Sequence, residues 1–275
     1  MPVSILLCEG GKNSPDVRVI GRLLGGNGEV KPEGSKYGMG NKITSLRKVL
    51  PPDTVYGIID GDFIDKWTTP ANRAKDWTLG KDEMYGWRWE RKEIENYLID
   101  PVVVAHALGQ QAPGPVDYLK ALESARDCIA IYQAARIALS VSRISFKAMP
   151  SSFGKARGKD DHLFPDAFDK DSCCHAIKEV VEEQTKTLRI DITEVINKFE
   201  FYLAECQNGP RYDNYLYAFS GKDLFWAMNK WCADNGFFHA SVFKEKILVG
   251  IEESTEDISS WLPEWQDLKE RINRI

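Results

Sequence analysis

The residues whose types and spacing could do chemistry are acids standing just after apolar runs. Asp60-Gly61-Asp62 follows Val55-Tyr56-Gly57-Ile58-Ile59, and Glu9-Gly10-Gly11 follows Val3-Ser4-Ile5-Leu6-Leu7-Cys8. Two carboxylates one residue apart repel unless a cation lies between them, and oxygen ligands suit Mg²⁺ or Mn²⁺. Gly61 permits a sharp turn that would let both aspartates converge on one point. The same triplet also serves as a turn followed by a helix cap, so by itself it does not separate a metal site from a structural one. Arg91-Lys92-Glu93-Ile94-Glu95 adds two further acids. On a continued strand Glu93 and Glu95 share a face. In a helix beginning near Lys92, one of them points toward the sheet edge while Ile94, Tyr97 and Leu98 form the buried stripe; an exposed charged turn is the third option.

Basic residues supply the complementary chemistry. Arg143, Lys147, Lys155, Arg157 and Lys159 are interleaved with Phe146, Phe153, serines and glycines, a composition suited to a phosphate backbone and stacked bases, or to a plain solvated loop. Ser220-Gly221-Lys222 opens a helical pattern, where backbone N–H groups and Lys222 could hold a phosphate. It is not a P-loop, because Leu216 stands where that motif needs its first glycine. Lys12, beside the first acid, could steady a scissile phosphate or be an ordinary surface lysine.

The elements that must position these groups follow from patterning. The runs 3–8 and 55–59 predict buried strands. Ser14-Pro15-Asp16 predicts a helix start, with Val17, Ile20, Leu23 and Leu24 as its stripe and Gly25-Gly26 as its end. A short strand is expected at 28–30, then a glycine-punctuated loop carrying Lys31, Lys36 and Lys42. A helix over 41–50 should bury Ile43, Leu46, Val49 and Leu50. The resulting β-α-β-α-β order predicts a parallel sheet with right-handed crossovers, which brings the ends of the first and third strands, and hence Glu9, Asp60 and Asp62, to one edge. Residues 64–83 read as a polar loop and 85–89 as a strand with Trp87 and Trp89 on one face. Beyond Pro101 the pattern is mostly helical, over 116–144, 172–187, 192–206, 222–234, 240–251 and 258–272. The expectation is an α/β domain over 1–100 followed by a mostly helical region over 101–275.

The 275 residues allow one large or two modest domains. No apolar run reaches membrane-spanning length and no basic-then-apolar leader opens the chain, which points to a cytoplasmic protein that takes no membrane partner. The six cysteines show no C-x-x-C pair and read as reduced core thiols; Cys173-Cys174-His175 lacks the spacing of a zinc site. A net charge of −5 argues against a broad basic face for nucleic acid. Eight tryptophans and aromatic stretches such as Tyr212 to Phe219 suit an interface between copies as well as a core.

Leu6-Leu7-Cys8-Glu9-Gly10, then a helix, then Ile58-Ile59-Asp60-Gly61-Asp62 after the third strand, resembles the TOPRIM fold shared by topoisomerases, primases and OLD nucleases. Arg91-Lys92-Glu93-Ile94-Glu95-Asn96-Tyr97-Leu98 and Gly221-Lys222-Asp223-Leu224 resemble more narrowly the TOPRIM proteins of phage defence, such as the nuclease subunit of the PARIS system. The resemblance covers roughly residues 3–100, and beyond them only the Gly-Lys segment. It implies a TOPRIM-like parallel sheet flanked by helices, Glu9 as the TOPRIM glutamate, and Asp60 and Asp62 as its metal pair. Glu93 or Glu95 would complete a site for one or two Mg²⁺ or Mn²⁺ ions. Asp16 would match the acid after the Glu-Gly motif, although it stands seven positions beyond Glu9 and also reads as part of a helix cap. The implied activity is phosphodiester hydrolysis of DNA or RNA, tRNA among them, gated by an ABC-type ATPase partner. No topoisomerase or primase module accompanies these motifs. Two other readings stay open: a non-catalytic TOPRIM assembly module, and a nucleotide-sugar transferase holding Mn²⁺ through Asp-x-Asp, which gives Glu9-Gly10 no role.

Overall fold

The computed structural model describes residues 3–79, 83–142, 152–157, 162–165, 167–188 and 191–275. The chain begins with β1 (Ile5–Cys8), α1 (Pro15–Leu24), β2 (Glu29–Pro32), α2 (Met39–Leu46) and β3 (Val55–Ile59). Then come β4 (Lys75–Leu79), β5 (Glu83–Arg88), α3 (Glu95–Leu98), α4 (Pro101–Leu108) and the long α5 (Pro115–Val141). A short antiparallel pair, β6 (Lys155–Arg157) and β7 (His162–Phe164), precedes α6 (Lys170–Leu188) and α7 (Ile192–Asn208). The chain continues through α8 (Pro210–Asp213), α9 (Tyr215–Ala218), α10 (Gly221–Ala227), α11 (Asn229–Asp234), α12 (Ala240–Glu253) and α13 (Pro263–Arg274).

Five strands form one sheet in the order β2-β1-β3-β5-β4. All neighbours are parallel except β4, which runs antiparallel to β5. The fold is therefore α/β with a mostly parallel sheet. β1 and β3 are buried on both faces, as near-continuous apolar runs require. One face carries Ile5, Leu7, Val55, Ile59 and Tyr85 and packs on Met39 and Ile43 of α2. The register Ile5↔Val55 through Cys8↔Ile58 ends the two strands level with each other.

Local signals explain the elements and their limits. The Ser14 hydroxyl accepts the Val17 N–H at 3.5 Å, Pro15 takes the first helical position, and α1 buries Val19, Ile20, Leu23 and Leu24. The helix expected over 41–50 instead spans Met39–Leu46; Ile43 is buried, but Val49 is 77% exposed and Leu50 is also exposed. The stripe breaks because the chain turns toward Pro51-Pro52. β4 lies within the expected polar loop. It is an edge strand of sequence Lys-Asp-Trp-Thr-Leu whose Trp77 packs against the core, so it lacks the apolar run of a central strand.

The chain forms two compact units, neither continuous in sequence. The first contains Met1–Asp62, Thr69–Leu119 and Asn229–Ile275, and thus the five-stranded sheet and the last three helices. Within it Arg18 of α1 pairs with Glu245 and Glu252 of α12 at 2.8 and 2.6 Å, and the Tyr97 ring lies 5.9 Å from that of Trp265 in α13. The second contains Phe63–Thr68 and Lys120–Met228. There residues 132–139 of α5 are all buried, so these two turns of helix are enclosed on every side. Fully buried Arg211 holds Glu205 at 2.5 Å and donates to the Ile64 and Asp65 carbonyls at 2.8 and 2.7 Å. Among the described residues no helix is long and apolar enough to cross a membrane.

Candidate active site

The β1–β3 register puts Glu9 and Asp60 at the ends of adjacent parallel strands. The Asp60 N–H donates to Glu9 Oε1 at 3.0 Å. Gly10, with φ +88°, takes a left-handed conformation, and a side chain there would meet Ser14 Oγ at 2.5 Å and stand 3.8 Å from Asp16 Oδ2. The helix start of α1 is thus folded back over the Glu-Gly loop, which brings Asp16 to the site while Ser14 does the capping. Cys8, buried at the end of β1, senses all three acids: burial first, then the charges of Asp16, Glu9 and Asp60, hold its thiol well above the usual range. The six cysteines are unpaired thiols, four of them buried.

Asp62 is built differently. It is a non-glycine residue in the left-handed region, φ 55°, and its N–H donates to the Lys92 carbonyl at 3.0 Å. The sharp turn expected at Gly61 falls on Asp62, while Gly61 is needed for another reason. A Cβ there would sit 2.2 Å from the Arg91 carbonyl oxygen and 2.7 Å from that of Trp89. The Asp62 carboxylate is ion-paired with Lys36 Nζ. Lys36 comes from the loop after β2, whose Gly34 exchanges reciprocal hydrogen bonds with Gly10 at 3.0 and 3.2 Å.

Residues 91–100 are buried throughout although six of the ten are polar or charged. Trp89 extends the strand pattern one step past β5, donating to the Ile59 carbonyl at 2.9 Å, and a helical turn then begins at Glu95 rather than at Lys92. Arg91 pairs with Asp100 at 2.7 Å and donates to the Asn96 carbonyl at 2.8 Å. Glu93 meets Lys92 Nζ at 2.6 Å, directly after the carbonyl that holds Asp62. Glu95 lies 3.7 Å from Lys244 of α12. Glu264 of α13 closes the arrangement: its Oε1 accepts the Glu90 N–H and its Oε2 accepts the Tyr97 hydroxyl, each at 2.7 Å. Burial pushes the Glu264 carboxyl up to about 7, against the lowering effect of those two donors.

Lys12 is exposed on the loop after Glu9. Lys155 and Arg157 bound β6, while Arg143, Lys147 and Lys159 lie outside the described residues. Lys222 is exposed in the first turn of α10. That turn is already capped by Ser220, and its buried Asp223 accepts from Gln133 at 2.6 Å and pairs with Arg136.

In the sequence Lys36 is one of three lysines on a glycine-punctuated loop and Glu264 one acid of a helical pattern, with nothing to mark either as a site residue. The sequence does place Lys36 between Gly34 and Gly38 at the carboxyl edge of β2, but nothing local assigns it to Asp62. Glu264 is 174 residues from the backbone group it holds. Among the described residues no three His, Cys, Asp or Glu side chains gather around one point. In kind the donors still fit a hard divalent cation. Glu9, Asp16, Asp60 and Asp62 all offer oxygen at one sheet edge, and the Lys36 ammonium already supplies positive charge to Asp62. No protein-family model matches the sequence, and no curated protein matches it.

Proposed function

We propose that this chain is a TOPRIM-like, metal-dependent endonuclease hydrolysing phosphodiester bonds in nucleic acid. The observation that carries the reading is the Asp60 N–H bonded to Glu9 Oε1. It joins the Glu-Gly and Asp-x-Asp motifs at one edge of a parallel sheet, where α/β proteins bind ligands.

Asp60, Asp62 and Glu9 are the residues that would hold Mg²⁺ or Mn²⁺, with Asp16 and Glu93 flanking them. When bound, such an ion offsets charge on the phosphate and yields a nucleophilic water at neutral pH. Glu9 Oε1 accepts the Asp60 N–H, which orients the carboxylate that would carry a proton or help hold an ion. Left-handed Asp62, tied to the Lys92 carbonyl, fixes the second aspartate independently of the first. The net charge of −5 supports weak substrate capture by the chain alone. Delivery by the basic segment 143–159 and by an ABC-type ATPase partner, in an anti-phage setting, is the corresponding part of the proposal.

Incubation with Mg²⁺ or Mn²⁺ and plasmid, single-stranded DNA or tRNA, with and without a co-purifying ATPase, tests this. Glu9→Gln and Asp60→Asn should each lower cleavage by at least about 10²-fold. Glu9→Gln keeps an acceptor for the Asp60 N–H and should melt near the wild type. Equal cleavage by wild type and both variants would sink the proposal. One observation favours a second reading, a non-catalytic assembly module. Asp62 and Glu93 are both lysine-paired, as acids retained for structure would be.

A further inference from the structure

We propose that Lys36 is the phosphate-positioning residue of this site and the countercharge that a divalent cation displaces from Asp62. The inference rests on the nuclease reading and deepens it.

Three features converge on Lys36. Its backbone is fixed: the loop is stitched to the Glu-Gly turn by the reciprocal Gly10–Gly34 bonds and by Glu33 N–H to the Cys8 carbonyl at 2.9 Å. The Lys36 carbonyl accepts the Met39 N–H at 3.2 Å, which ties the loop to the start of α2. Its partner is fixed too, because Asp62 is held in the left-handed region with its N–H on Lys92. The charged ends, by contrast, reach solvent, with side-chain exposures of 24% for Lys36 and 36% for Asp62. Two rigid mounts therefore carry an ion pair that only side-chain rotation is needed to open.

An ammonium on a four-carbon stem is a compact point charge that re-aims by rotamer changes. A cation taking Asp62 competes with that ammonium for the same oxygens. Released Lys36 stays on the loop that the Gly10–Gly34 bonds hold against the Glu-Gly turn, from which its ammonium can meet a phosphodiester anion. Lys12, three residues after the first acid, is exposed on its loop, whereas Lys36 is ion-paired with Asp62 of the proposed metal pair.

The test is calorimetric titration of Mn²⁺ into wild type, Lys36→Met and Lys36→Gln without nucleic acid, followed by cleavage assays on the same proteins. With its competitor gone, Asp62 should bind Mn²⁺ about fivefold more tightly in both variants, the size expected when a partly exposed ion pair no longer competes. Cleavage should fall at least about tenfold, mainly through a higher KM. A salt bridge of purely structural role predicts the reverse pattern: unchanged or weaker Mn²⁺ binding, a lower Tm and unchanged KM. That pattern in either folded variant overturns the assignment of Lys36 alone. Wild type that takes up no Mn²⁺ overturns the metal site, and the Lys36 inference with it.

Discussion

At Gly61 a single missing side chain decides how the acids are mounted. The carbonyls of Trp89 and Arg91 pass so close that a Cβ has no room, and these are backbone atoms that cannot rotate away. Gly61→Ala should therefore destabilise the first unit by roughly 1–3 kcal/mol or more, read as a lower urea midpoint. It should also weaken Mn²⁺ uptake, because Asp60 and Asp62 flank the displaced residue. A midpoint equal to wild type would show that the loop yields freely. At this scale the sequence was partly legible. Glu9 and Asp60 could be picked out because acids ending apolar runs are conspicuous, and parallel order predicts that they meet. For Glu93 and Glu95 a strand face, a helical turn and an exposed charged turn stay open in the sequence; both are buried, which removes the exposed turn, and Glu95 stands 3.7 Å from Lys244, a tertiary partner no local pattern records.

At the scale of elements, α13 acts on the sheet edge through Glu264, which holds both the Glu90 N–H and the Tyr97 hydroxyl. Its carboxyl keeps its proton to about pH 7 in the folded chain, against an ordinary value of 4.5. Between those two values the folded state binds more protons than the unfolded one. Stability from this group is therefore full below pH 4.5, falls as pH rises toward 7, and stays at its reduced level above. The change is on the order of 3 kcal/mol. Glu264→Gln should lack this component, so the stability difference between wild type and variant should vary across pH 4.5–7 and level off beyond. A difference independent of pH would refute the buried, protonated carboxyl. Among elements, α1 was legible from Ser14-Pro15-Asp16, and β1 and β3 from their apolar runs. β4 was not, because an edge strand with charged residues around a single inward tryptophan looks like a loop.

For the molecule as a whole, the texture change near Pro101 suggested a sheet domain followed by a helical one. The mostly helical character of the later sequence was legible, but the return of Asn229–Ile275 to the sheet unit was not, because amphipathic helices do not announce which sheet they cover. A fragment of residues 1–100 should accordingly fail to fold cooperatively. It would leave Trp89, Tyr97 and the buried charges of 91–100 without Trp265, Glu264 and Lys244. A sharp urea transition and dispersed amide resonances from that fragment would contradict this. The full chain should show both.

The bond between Glu90 and Glu264 also sets an order of events during synthesis. A ribosome has released the strands carrying Glu9, Asp60 and Asp62 long before it reaches α13, so the nascent sheet must wait for its clamp. Until that helix emerges, the Trp89–Lys92 backbone against which Gly61 and Asp62 are set lacks its anchor. Under the proposed function, the backbone that holds Asp62 would gain its anchor only once α13 has emerged, a useful delay for a chain whose proposed product is broken nucleic acid.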